Sequence, residues 1–144
     1  MGKDALYLKY RPFQLDDIVG QKHVVGTIKQ AAIQKRFAHS YILGGTKGAG
    51  KTTTARIIAN LLTCEDIKDG KLCGKCRACQ TIHSGFSSDI VELDGAAKRS
   101  VDDIQQLIEA ARYSPHELKR KVFIIDECHQ LSNTAISALG MSVQ

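Results

Sequence analysis

The sequence predicts an α/β fold: a parallel sheet with helices on both faces. Three observations point there. Helix-period and strand-length apolar patterns alternate along the chain, a glycine-rich loop joins one apolar run to a helix, and another apolar run ends in two carboxylates. The 144 residues are 43% hydrophobic and 24% charged, enough apolar material for one core and too much for a disordered chain. No run of about eighteen apolar residues occurs, so no membrane span is expected. Lys3, Asp4 and Lys9 interrupt the stretch that a secretion signal would keep apolar. A cytoplasmic protein is the expectation.

The elements follow in order. Ala5 to Gly20 mixes aromatic and basic residues around Arg11-Pro12 and reads as an irregular arm. Between Lys22 and Arg36, Val24, Ile28 and Ala31 recur at helical spacing with Lys and Gln between them, an amphipathic helix. Tyr41, Ile42 and Leu43, bounded by Gly44 and Gly45, form a short apolar run expected as a buried strand ending in a turn. Thr52 to Leu62 places Ala55, Ile58, Ala59 and Leu62 on one helical face.

A polar, cysteine-bearing insert covers residues 63–83. Asp89 to Leu93 reads as a strand, and Ser100 with Asp103 resembles a capping box ahead of a helix carrying Ile104, Leu107, Ile108 and Ala111. Val122 to Ile125 is continuously apolar, as in a parallel strand covered on both sides. Thr134 to Leu139 begins another helix.

Charge is uneven. Residues 1–83 hold 14 basic and 6 acidic side chains, residues 84–144 hold 6 and 9, and the whole carries a formal +5. A basic first half suits an anionic partner, nucleotide phosphate or a nucleic-acid backbone, although solubility accounts for the same charge.

Gly45-Thr46-Lys47-Gly48-Ala49-Gly50-Lys51-Thr52 fits G-x-x-x-x-G-K-[ST] at every fixed position and lies between an apolar run and a helix. Glycines let successive N–H groups turn toward phosphate oxygens, and the helix that follows presents its positive end to the same place. Lys51 would neutralise the β and γ phosphates, and Thr52 would set its hydroxyl on Mg²⁺. A glycine-rich turn with an incidental lysine is the bland alternative, and the strand–helix context weighs against it. Asp126 and Glu127 follow the apolar run at once, at the strand end where ligands bind in open α/β sheets. Asp126 would organise Mg²⁺, and Glu127 would polarise the attacking water.

Cys64, Cys73, Cys76 and Cys79 follow C-x8-C-x2-C-x2-C. Four thiolates can close a tetrahedron around one ion with no open position, which is structural zinc chemistry; an iron–sulfur cluster uses the same ligands. The ion would fold an insert lacking its own core. His83 is read as an ordinary polar residue on the following helix, since four Cys already fill the site. Cys128 is read as a small packing residue without chemistry.

Taken together these residues resemble the gamma/tau family of AAA+ clamp-loader ATPase subunits of bacterial DNA polymerase III. The resemblance runs through Leu6-Tyr7 and Tyr10-Arg11-Pro12, Ile18-Val19-Gly20-Gln21 with His23-Val24, His39-Ser40-Tyr41, the phosphate loop, the four cysteines, Val91 to Asp94 and Val122 to Leu131. It implies a partial P-loop (AAA+) domain over residues 1–144 and an adenine pocket near Arg11, Pro12, Val19 and Gly20. It also implies phosphate and Mg²⁺ contacts at Gly48, Gly50, Lys51, Thr52 and Thr53, with Asp126 and Glu127 at the hydrolytic centre. ATP, Mg²⁺ and Zn²⁺ are the implied cofactors. Partner subunits, the sliding clamp and primed DNA are the implied partners, in a hetero-oligomer.

The family's pattern continues past Leu139 with a sensor strand, a Ser-Arg-Cys motif, a fifth strand and a helical lid, which these residues do not match. The sheet is therefore expected incomplete, its phosphate-loop and Asp126 strands lacking the neighbour they share, and hydrolysis by the chain alone is expected to be slow. Two other readings stay open. One is a shortened, non-catalytic binding module that holds nucleotide and partner subunits. The other is a helicase-like translocase, suggested by D-E-x-H at Asp126 to His129, which would need a second motor domain.

Overall fold

The computed structural model describes residues 14–18, 22–45, 50–84, 87–95 and 101–130. Its helices are α1 (Lys22–Gln34), α2 (Lys51–Thr63), α3 (Arg77–Ser84) and α4 (Val101–Ala111), and its strands are β1 (Ile90–Asp94) and β2 (Val122–Asp126). Short 3-10 turns lie at Leu15–Asp17 and Cys128–Gln130. None of the described helices is long and apolar enough to cross a membrane.

β1 and β2 pair in parallel, Ile90 opposite Val122 through Asp94 opposite Asp126, with α4 between them in the chain. That is the β-α-β arrangement expected from two apolar runs separated by a helical period. α2 packs against β2 on one side and α3 on another. Only Leu93 and Ile124 are fully buried in the two strands, and Val122, Phe123 and Ile125 are half-buried. The expectation of a β2 covered on both sides is therefore corrected for the described residues.

Tyr41–Leu43 is a second correction. The segment carries no strand pairing, and Ile42 is 92% exposed. A strand exists through hydrogen bonds to a neighbour, and the described sheet holds β1 and β2 only. Leu43 still packs on the core, and the Tyr41 hydroxyl accepts the Ala38 N–H at 3.0 Å.

The core sits elsewhere. Leu15, Ile28, Ala32, Ile57, Ile58, Leu61, Cys64, Ile67, Leu72 and Cys79 form one buried cluster joining the 14–18 turn, α1, α2 and the cysteine insert. α2 buries a wider stripe than its periodicity suggested, with Ile57 and Leu61 at 1% exposure, each of which contributes about 1.5–3 kcal/mol by leaving water. The insert, expected to lack a core of its own, packs into the main one, because Ile67 and Leu72 flank a tight turn that folds back on α1. In that turn Lys68 and Lys71 bond each other's backbone, with Asp69 and Gly70 both at positive φ, the geometry a D-G hairpin turn uses.

Two polar arrangements, one half-buried and one buried, tie the rest together. The Gln14 side chain accepts the Leu72 N–H at 2.9 Å and donates to its carbonyl at 3.2 Å, joining the N-terminal segment to the insert. Asp89, 1% exposed, accepts backbone N–H groups from His116, Glu117 and Leu118, each at 2.7 Å. Burial works against its charge, but those three donors and nearby Lys121 outweigh it and hold its carboxyl below the usual range.

Candidate functional site

α2 begins at Lys51 on the heels of Gly50, whose φ of +80° is a left-handed conformation a side chain would strain. Gly50, the N-cap, has no side chain to cap this helix start, where first-turn N–H groups lack intrahelical partners. The Thr54 hydroxyl and N–H both bond the Gly50 carbonyl, at 2.8 and 2.9 Å, fixing how the loop enters the helix. Lys51 Nζ donates to the Gly45 carbonyl at 2.7 Å, so the lysine reaches back along the loop it ends.

β2 delivers the second half. Thr52 Oγ1 donates to Asp126 Oδ2 at 3.0 Å, joining positions 74 residues apart. The other Asp126 oxygen accepts the Glu127 N–H at 3.0 Å. A hydroxyl and a carboxylate side by side are the hard oxygen donors that suit Mg²⁺. Glu127 sits at φ +52°, a left-handed conformation unusual outside glycine, and its Oε2 lies 3.3 Å from His129 Nε2. Cys128 is exposed, which corrects the packing role expected of it.

Sequence reasoning missed what surrounds this pair. Asp94 ends β1 in register with Asp126, so two carboxylates close the same end of the sheet. The Gly95 N–H bonds the Asp126 carbonyl at 2.7 Å, and a Cβ on Gly95 would come within 2.6 Å of the Glu127 carbonyl oxygen. The signal was present: both apolar runs end in Asp, as parallel neighbours can. Of the remaining expected residues, Thr53 lies half-buried in the first turn of α2. Arg11, Pro12, Val19, Gly20, Thr46, Lys47, Gly48 and Ala49 lie outside the described residues, as do Ser100 and the 134–139 segment.

The four cysteines converge. Their Sγ atoms all lie within 4.8 Å of one another, with Cys73–Cys79 at 3.8 Å, Cys64–Cys79 at 3.9 Å and Cys64–Cys76 at 4.0 Å. Ligands about 2.3 Å from a tetrahedral centre stand about 3.8 Å apart, whereas disulfide sulfurs stand about 2.0 Å apart. The set therefore fits a metal ion. Lys75 and Cys76 N–H groups donate to Cys73 Sγ at 3.4 and 3.3 Å. The Lys75 bond leads in bringing the Cys73 thiol down to about 6, while burial pushes Cys64 and Cys79 up. His83 lies in α3, and its side chain is outside the described set.

A family model described as DNA polymerase III, delta subunit, matches residues 20–140. The chain belongs to that DNA polymerase III subunit family. It is also similar to DNA polymerase III subunit tau of Bacillus subtilis, 40% identical over 96% of this chain and 25% of that protein. The gamma subunit of Buchnera aphidicola is 37% identical over 96% of this chain and 38% of its own length. The gamma/tau subunit of Mycoplasma pneumoniae is 40% identical over 95% and 20%. The chain thus spans well under half the length of these DNA polymerase III relatives, and family membership supports a role in DNA replication.

Proposed function

We propose that this chain is the nucleotide-binding part of a clamp-loader ATPase, an AAA+ P-loop domain with a zinc-binding insert over residues 63–83. It would act in the cytoplasm within a hetero-oligomeric DNA polymerase III assembly that couples ATP to loading a sliding clamp on primed DNA. The observation that carries this reading is the 3.0 Å contact of Thr52 with Asp126 at the helix start where Lys51 stands. Phosphoryl transfer depends on positioning and charge neutralisation, and this is the residue set that chemistry uses.

In this reading Gly45 to Thr53 hold the phosphates, with Lys51 neutralising them, and Arg11, Pro12, Val19 and Gly20 receive the adenine. Thr52 and Asp126 hold Mg²⁺, which supplies further charge neutralisation. Glu127 orients and polarises the attacking water. Cys64, Cys73, Cys76 and Cys79 hold Zn²⁺, which supplies structure. Metal analysis tests that last assignment: about one zinc per chain is expected, and iron would overturn it.

The experiment for the motor is steady-state ATP hydrolysis with and without primed DNA and partner subunits, comparing Lys51→Ala and Glu127→Gln with the parent. Both substitutions should abolish most of the stimulated rate; no change in either sinks the reading. A second reading, a module that binds nucleotide without efficient hydrolysis, is favoured by the turn of Glu127 toward His129. Tight binding of an ATP analogue with no Glu127-dependent turnover in the full assembly would select it.

A further inference from the structure

His129 completes the D-E-x-H run, yet the proposed hydrolysis gives it no task. Its ring Nε2 lies 3.3 Å from Glu127 Oε2 and 3.1 Å from the side-chain nitrogen of Gln130. Those neighbours ask opposite things of one ring nitrogen. Carrying a proton, Nε2 donates to the Glu127 carboxylate; bare, it accepts from the Gln130 amide. Glu127 and Gln130 therefore compete for His129.

The Glu127 backbone is fixed from several sides. Its φ of +52° is left-handed, its N–H donates to Asp126 Oδ1 at 3.0 Å, and its carbonyl accepts the Gln130 N–H at 3.0 Å. Gly95 closes in from the end of β1: its N–H bonds the Asp126 carbonyl at 2.7 Å, and a Cβ there would stand 2.6 Å from the Glu127 carbonyl oxygen. With the main chain held, side-chain rotation is what re-aims the carboxylate. Among the described residues its partner is His129.

Charge accounts for that choice. Asp94 and Asp126 end neighbouring strands in register, so two carboxylates already share this edge and disfavour a third turned among them. Lys51, the cation at the end of the phosphate loop, is engaged at the Gly45 carbonyl. An N–H on His129 supplies Glu127 with a donor instead.

We propose that His129 is a positioning residue that holds the Glu127 carboxylate off the attacking water, a brake on hydrolysis that Gln130 relieves by taking the same ring nitrogen. The proposal rests on the reading of Glu127 as the residue that polarises that water. A base must reach the proton it takes, and a carboxylate oxygen already accepting a hydrogen bond is a weaker proton acceptor. The Glu127 and His129 side chains are 48% and 67% exposed, so the brake is modest. Pairs this exposed shift an equilibrium by up to about fivefold.

The test is steady-state ATP hydrolysis by the full assembly without primed DNA, with kcat and KM read separately. His129→Ala should raise kcat about two- to fivefold and leave KM for ATP within about twofold of the parent. Gln130→Ala keeps the backbone bond to Glu127 but removes the competing amide, and should lower kcat by about twofold. The double variant should match His129→Ala, because without the ring the amide has nothing to relieve. A purely structural role would move both single variants in the same direction. Circular dichroism confirms that each variant is folded.

An unchanged or lower kcat in His129→Ala, with Glu127→Gln still abolishing turnover, overturns the proposal and leaves the reading of Glu127 standing. So does a Gln130→Ala effect that persists in the double variant. If Glu127→Gln leaves the rate intact, the reading of Glu127 fails and the brake falls with it.

Discussion

The cysteine-insert side and the sheet side of this molecule are built differently. On the first, the 14–18 turn, α1, α2 and the insert share one core in which Leu15, Ala32, Ile57, Leu61, Cys64 and Cys79 are at most 2% exposed. On the second, β1 and β2 bury Leu93 and Ile124 alone among their residues, and they end in an exposed Asp94 and a half-buried Asp126. The contrast separates two tasks. Apolar burial and a candidate metal centre hold the first, whereas the sheet side holds polar groups at an accessible edge, where a ligand can reach them.

Removing the metal should sharpen the contrast most. Chelation is expected to cost several kcal/mol and to collapse hydrogen-exchange protection in α1 and α2 more than in β1 and β2. Equal loss on both sides would break the comparison. Burial raises the Cys64 and Cys79 thiols, so metal must displace their protons and affinity should fall as pH drops. A metal-binding titration at pH 8 and pH 6 reads this directly.

Next in size is Leu61→Ala, expected to cost about 3–5 kcal/mol against about 2–3 for Leu93→Ala in denaturant unfolding. A smaller cost at Leu61 would place the weight of the fold in the sheet.

Asp89→Asn should cost about 1–3 kcal/mol at pH 7, because three backbone donors lose a charged acceptor. The folded carboxyl titrates below its unfolded value, so its stabilisation is full above the unfolded pKa of about 3.9 and fades as pH falls through the folded one. The gap in melting temperature between parent and variant should therefore narrow below about pH 4; a gap that widens there refutes the assignment.

The smallest effect belongs to Arg56→Ala. Arg56 donates two bonds to the Glu92 carboxylate, Nε to Oε2 at 3.0 Å, and ties α2 to β1. Both side chains are over a third exposed, so the loss should be about 0.2–1 kcal/mol. A double-mutant cycle with Glu92→Ala measures it, and a coupling above that range would show the sheet side to be held by charge.

Much of the fold was legible where the signal is local. α1, α2, α4, β1 and β2 lie within a few residues of the ranges their apolar periods indicate. Tyr41–Leu43 was misread because a strand needs a neighbour, which no period within three residues can supply. The insert's share in the core was missed because its polar composition hides Ile67 and Leu72. Cys128 was misread because exposure depends on the turn it occupies.

By itself the sequence determined the four-cysteine set and the order α1, α2, β1, α4, β2. Ligand spacing and hydrophobic period act over a few residues, and the chain carries them before it folds. Only the tertiary structure decided that Thr52 meets Asp126, that Asp94 stands beside it, and that Gln14 grips Leu72. Those contacts join residues up to 74 positions apart. Loop closure places no local mark on the chain, so such pairings arise only once the core has drawn the segments together.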